Sequence, residues 1–517
     1  MKKSISIIFS LIALLAITSI AFAQTSLPGT GWYSGIVIQN VAVGDASVNI
    51  TAYGTDGSEA TFSNTVAEGS VLNILPSDFT GMSSGFQGSA IVSSDKELRA
   101  VVNITNRYLS SLSLGDSGAT HPGAAQYQGV STADTELRFP FAKNDNYGKT
   151  TTFYIQNAGG SSGTALATFV FNNVNYTFTT PSIDPGEMVV FSPADARSST
   201  NQSPPSGNSA ASAGSLTITS SQPLAGTVLE HKTAEVHGSL LQATRGFTTS
   251  DYSNKLYAPM NKDNYYNRWS GLIVQNAGNS AIDISVTYTV GTRDGICTAN
   301  AGSTFSKTEN DVAPNSSVIF PSSEIPGDGC AASAVVEVVG GVGEIVGVIN
   351  ESFTNAFLSA NPTRSQESTT YSAFSANSVT HRISIPLYKE DSFDKGSGVT
   401  IQNISNSESA FIIATFKSPN GTFVTNPIEV LPNASYNIVD MRLKPTTIWN
   451  GTAMTSAALA CTTGNYVCRA NGLMGVIVQS TGGSIVGMAN ESTYPFTSPR
   501  IQQDKNNYEG FNLSDLP

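Results

Sequence analysis

One seven-residue phrase occurs four times in this chain: Ser34-Gly35-Ile36-Val37-Ile38-Gln39-Asn40, Thr151-Thr152-Phe153-Tyr154-Ile155-Gln156-Asn157, Ser270-Gly271-Leu272-Ile273-Val274-Gln275-Asn276 and Ser397-Gly398-Val399-Thr400-Ile401-Gln402-Asn403. Recurrence at intervals of 117, 119 and 127 residues identifies one unit duplicated three times, and the interval is that of an ordinary domain. The positions three and one before Gln are apolar in every copy, while the position between them ranges over Val37, Tyr154, Ile273 and Thr400. A period of two predicts a strand with one buried face. It turns Gln outward and brings Asn back at the strand end, where a short amide hydrogen-bonds turn backbone. A row of ligand-binding Gln-Asn pairs is the competing reading, but carbohydrate sites usually add a stacking aromatic, and the phrase supplies none consistently.

The copies align upstream as well. Pro140, Pro259 and Pro386 lie sixteen residues before the Gln, Lys143, Lys262 and Lys389 thirteen before, and Tyr147, Tyr266 and Phe393 nine before. Proline suits an edge strand, so the unit opens with one. After the phrase come β-rich runs and a second marker, Glu68-Gly69-Ser70, Pro185-Gly186-Glu187, Pro314-Asn315-Ser316 and Pro432-Asn433-Ala434, and each unit closes on another apolar strand. About seven short strands with frequent turn signals predict an antiparallel β-sandwich. The expected units are 24–130, with a shortened opening, 131–248, 249–375 and 376–517, the last with a C-terminal tail.

Glutamate follows the closing strand in three units, as Glu230, Glu351 and Glu491, but Ile104 stands there in the first, which also lacks the opening lysine. Joint presence and absence predict the pairs Lys143 with Glu230, Lys262 with Glu351 and Lys389 with Glu491. Exposed pairs of this kind contribute about 0–1 kcal/mol, so their expected use is to fix register. Segments of about 25–30 residues join the units, and each carries an aromatic beside glycine or alanine: Tyr127, Phe247, Phe374, and Tyr508 with Phe511. Docked forward, such a tail would complete the first unit of another molecule, giving head-to-tail assembly. Docked backward it finishes its own unit, which is the preferred reading.

The N-terminus has Lys2 and Lys3, an apolar run from Ile5 to Ile20, then Ala21-Phe22-Ala23 before Gln24, the form of a secretory leader over 1–23. A membrane span is the alternative; no later run is long enough to cross a bilayer. Secretion or a cell-surface location is expected. The formal charge of -12, which becomes -14 without the two leader lysines, argues against nucleic acid and anionic membrane as partners. In an exported chain the four cysteines favour disulfides, partitioned by unit as Cys297 with Cys330 and Cys461 with Cys468. Cys297 lies in an insertion peculiar to the third unit. Metal binding by these cysteines is the rival, without a C-x-x-C pair to support it.

No catalytic motif occurs, and no histidine recurs at an aligned position. Acidic clusters before the phrase, containing Asp145, Asp263 and Asp391, are candidates for Ca²⁺ ligation, against turn-forming residues as the plainer account. No other cofactor is suggested.

The succession of Gln-Asn strand, Pro-Gly or Pro-Asn turn and a stretch such as Gly85-Phe86-Gln87-Gly88-Ser89-Ala90-Ile91-Val92-Ser93-Ser94-Asp95 resembles the tandem, Ig-like β-sandwich repeats of uncharacterised secreted and cell-surface proteins of filamentous bacteria. The resemblance implies an all-β chain of four such domains in an envelope or matrix setting, and carries no functional residues. The expected function is non-enzymatic: a structural or adhesive surface component whose partners are other envelope or matrix components, itself included. A glycan-binding envelope protein is the alternative, and a hydrolase a third class for which the sequence offers no convergent acids.

Overall fold

The computed structural model describes residues 18–21, 27, 32–105, 124–232, 240–291, 297–360, 368–389, 395–418, 421–438, 473–493 and 505–513. Its strands are antiparallel and pair repeat by repeat. In the third repeat eight strands follow one another: Lys255–Asp263, Arg268–Asn276, Ile282–Val290, Thr304–Val312, Ser317–Pro321, Cys330–Gly340, Ile345–Phe353 and Ser368–Ser372. Numbered by position in the repeat, one sheet runs fourth, third, sixth, first, with the two-residue strand Phe374–Ser375 beyond the first, and the other runs fifth, second, seventh, eighth. Both contribute to a single apolar core.

The sheets are the expected antiparallel sandwiches, with more strands than the seven expected and an order of their own. An Ig domain sets its first strand beside its second. Here the chain changes sheet between them, so the first lies against the sixth, and the seventh joins the phrase strand. The eighth strand comes from the segments read above as connectors: Ala124–Gln128, Leu240–Arg245, Ser368–Ser372 and Lys505–Glu509. Each pairs with the seventh strand of its own repeat. The tail strand Phe511–Leu513 likewise pairs with Arg382–Lys389 in the fourth repeat, so the docking is backward. In the second repeat the sixth and seventh strands are one element, Ala213–Lys232, that serves both sheets. In the first repeat the place beside the sixth strand, Gly88–Ser94, is taken by Thr18–Ala21, four residues from the expected leader.

The phrase strands are buried on both faces, which their alternation did not predict. Their inward residues fill their own sandwich. The variable outward residues Val37, Tyr154, Ile273 and Thr400 are buried as well, because the preceding repeat covers them. Tyr154, Met188 and Leu229 of the second repeat join the core of the first. Ile273, Val346 and Val348 of the third join that of the second, and Met488 of the fourth that of the third. The series closes: Val37 and Val101 of the first repeat are part of the core of the fourth. The four eighth strands meet in the middle, Ala124–Gln128 packing against Leu240–Arg245 and Lys505–Glu509, and Ser368–Ser372 against the same two. The chain is therefore a closed ring of four sandwiches, and each outward apolar residue contributes about 1.5–3 kcal/mol on burial.

A closed ring predicts a radius of gyration in solution of about 25 Å, near that of a compact chain of this length. Scattering from Val101→Asp should show the joint between first and fourth repeats opened and a larger maximum dimension; an elongated wild-type particle would contradict the closure.

Candidate functional site

The Gln and Asn of the phrase do different work. Each Asn clasps a turn at the end of its own sandwich. Asn276 Nδ2 donates to Ser280 O and Val312 O at 2.7 and 2.9 Å, and its Oδ1 accepts from the Gly278 amide at 2.9 Å. Asn40, Asn157 and Asn403 make the same set of bonds. Each Gln faces away from its own core, as expected, but into the next joint rather than into solvent. There it meets the second marker, whose middle residue has a left-handed backbone: Gly69, Gly186, Asn315 and Asn433 at φ 66, 81, 63 and 56°. That conformation explains the Gly or Asn.

The carbonyl of this residue is the latch between repeats. Gly186 O accepts from Gln156 of its own repeat at 2.8 Å and from Ser89 of the repeat before at 2.7 Å. Asn315 O accepts from Gln275 at 3.1 Å and Ser215 at 2.5 Å, and Asn433 O from Gln402 at 3.5 Å and Ser333 at 2.5 Å. The closing joint is built otherwise. Gly475 stands where the others have serine, and a Cβ there would collide with Gln39. Gln39 instead accepts from Ser384 at 2.5 Å, and Lys417 donates to Glu68 O.

The structure brings all three expected Lys-Glu pairs together, at 2.5 Å for Lys143 with Glu230, 2.9 Å for Lys262 with Glu351 and 2.6 Å for Lys389 with Glu491. Contrary to the exposed setting assumed from sequence, the carboxylates are fully buried, because the eighth strand covers them. Each also has a second cation that the sequence reading missed: Lys149 at 3.4 Å, Arg268 at 3.7 Å and Lys395 at 2.7 Å. The signal was there, since these residues all lie seven before the Gln, where the first repeat has Trp32. Burial alone would raise Glu230 and Glu491, but the flanking ammonium groups hold both below the ordinary carboxylate range. Burial, opposed by Glu230 and assisted by Lys149, brings Lys143 down to about 8.

Around the ring axis the side chains are polar. Gln126 donates to Glu491 at 3.1 Å and Gln128 to Glu509 O at 2.9 Å, joining first and fourth repeats. Arg245, held by Asp251 at 2.7 Å, reaches Glu509 across the axis at 3.7 Å. Thr370 Oγ1 and both amide atoms of Asn507 have no hydrogen-bonding partner there among the described residues.

Cys297 and Cys330 form a disulfide, while Cys461 and Cys468 lie outside the described residues. Asp145 is exposed in the first turn of its repeat, and Asp263 is part-buried, its carboxyl raised by burial and by Asp328; Asp391 lies outside the described residues. No group of three or more potential metal ligands occurs among the described residues. What does project is aromatic. Tyr147 and Tyr266, at one aligned position, are 55 and 59% exposed with φ of 51° each. A left-handed tyrosine is uncommon, and backbone strain of this kind concentrates at functional sites. In the third repeat Tyr265 packs edge-on against Tyr266 at 4.7 Å, and Trp269 is 41% exposed.

No family model matches the chain, and no curated protein is similar to it. Among solved structures, Thermotoga maritima protein 1070 is 16% identical over 22% of this chain and 95% of its own, with a TM-score of 0.18. A tetra-tandem repeat from the extending region of a large adhesion protein is 11% identical over 97 and 100%, at 0.11. A mutant of the CFA/I adhesin CfaE of enterotoxigenic E. coli is 11% identical over 52 and 90%, at 0.09. Scores this low carry no argument.

Glu351→Gln, which leaves Lys262 and Arg268 buried without their counter-charge, should cost about 3 kcal/mol, read from the urea midpoint. Acid has a defined sign. Glu230 and Glu491 are depressed in the folded state, so the unfolded chain binds more protons as pH falls. Their contribution is complete above the unfolded carboxyl value of 4.5 and lost as pH drops through their folded values. The urea midpoint should accordingly fall between pH 6 and pH 3, by less in Glu491→Gln than in wild type.

Proposed function

We propose that this protein is a non-enzymatic, exported structural or adhesive component of a cell surface or extracellular matrix, in which four sandwiches close into one rigid unit. The observation that carries this reading is how the polar side chains are spent. The repeated Gln residues latch one repeat to the next, the Asn residues fix turns, and the Lys-Glu pairs tie the first and seventh strands of a repeat. The aligned residues that project outward are the tyrosines of the first turns. Immunogold labelling of intact cells with antibody to the purified protein, beside fractionation of the culture, tests the location; signal confined to the cell interior would sink the proposal.

Glycan binding is a second reading, favoured by Tyr147, Tyr266 and Trp269. Exposed rings offer the flat apolar face on which a pyranose stacks, with a hydroxyl at the rim for hydrogen bonding. Tyr266→Gly separates binding from folding. Glycine accepts φ of 51° without strain, so the melting temperature should hold or rise while retention on immobilised envelope polysaccharide falls several-fold. Unchanged retention would remove the tyrosine from any binding role.

A further inference from the structure

We propose that the first repeat of the mature protein is a strand acceptor, taking one extended segment of another polypeptide along the open edge of Gly88–Ser94. The proposal rests on removal of residues 1–23 as a leader.

In every repeat the sixth strand lies between the third and the first. The first strands of the later repeats are long: Asp134–Lys143, Lys255–Asp263 and Arg382–Lys389. In the first repeat, among the described residues, only Thr18–Ala21 fills the place, and it does so in the register of the others. Thr18 stands opposite Val92 as Leu137 stands opposite Ile218, Leu256 opposite Val336 and Ile383 opposite Val478. Cleavage before Gln24 takes this strand away. It leaves Gly88–Ser94 as the edge of its sheet, with the main-chain groups of Ser89–Val92 that faced Thr18–Ala21 and the core flank of Ala90 and Val92 open to a new strand.

A second observation is independent of the leader. The eighth strands of the third and fourth repeats each carry a tyrosine that grips the first strand by its backbone. Tyr371 Oη donates to Met260 O at 2.7 Å and accepts from the Met260 amide at 3.0 Å; Tyr508 Oη does the same with Leu387 at 2.5 and 3.0 Å. Tyr127 holds the equivalent place in the first repeat, opposite Val102 as Tyr371 is opposite Ile349 and Tyr508 opposite Ala489, and is as deeply buried. The second repeat has Thr244 there. The first repeat thus carries, beside the place of its first strand, the same tyrosine that clasps that strand in the third and fourth repeats.

The slot defines its occupant. Leu137, Phe139 and Phe141, Leu256, Ala258 and Met260, and Ile383, Ile385 and Leu387 are the buried residues of the resident strands. The guest is therefore an extended segment with three alternating apolar side chains, bound by main-chain pairing. A second copy has no such segment to spare among its described residues: its later first strands occupy their own repeats, and its tail strands complete the fourth. On the described residues, then, the donor is a different protein.

The test uses the full chain from Gln24, with a fluorescent peptide of residues 382–389 as the guest. Saturable binding is expected. It should weaken at least tenfold when Ile383, Ile385 and Leu387 of the peptide become Asp, and about tenfold in the Tyr127→Phe protein, from loss of the clasp. Hydrogen exchange at Ser89–Val92 in wild-type protein, which needs no variant to fold, should slow on adding the peptide. No binding, or amides already protected without it because residues 24–31 fill the slot, overturns the proposal. Sequencing the N-terminus of the exported protein keeps the two ideas apart. A start at Met1 sinks the leader reading, whereas a start at Gln24 with no peptide bound sinks the acceptor alone.

Discussion

The ring depends on one constraint, that each phrase strand has two apolar faces and a single sandwich can cover only one. The outward face, with Val37, Tyr154, Ile273 and Thr400, must be buried by a neighbouring repeat. Four repeats related by similar joints satisfy every such face only by closing. A linear array would leave one sheet bare at each end, the fate that terminal caps prevent in solenoids. Here the two bare ends cover one another.

Apolar contact sets the ring, and polar contact sets its register. A carbonyl shared by a glutamine of one repeat and a serine of another works only when the turn holding it is placed correctly, and the left-handed Gly or Asn fixes that turn. The buried carboxylates act similarly. Their desolvation is offset by two cations each, and the net gain over an apolar cluster is small. Ile104 and Trp32 in the first repeat show the apolar solution to the same position. The charged version specifies which strands meet.

The all-β class, the repeat, the structural Asn and the Lys-Glu pairing were legible because they recur at constant spacing. The second buried face was not, since its residues share burial without sharing a type. The eighth strand was missed for a related reason. Ala124–Gln128, Ser368–Ser372 and Lys505–Glu509 are rich in Gln, Ser, Thr and Asn, which read as connector composition. Those residues face a polar axis made by four repeats together, an environment that no single repeat contains. The second cations went unnoticed because Lys149, Arg268 and Lys395 mix two residue types and because the first repeat breaks the series.

The joint between first and fourth repeats differs from the other three, with Gly475 and Lys417 where the others use serine and uncharged residues. It is also the joint that no backbone crosses. Tension between the two ends of the chain would therefore load this seam before any other, through side-chain contacts alone. The three remaining joints are backed by covalent chain. A ring anchored by both ends would yield first at the seam and lengthen by opening, with its sandwiches still folded.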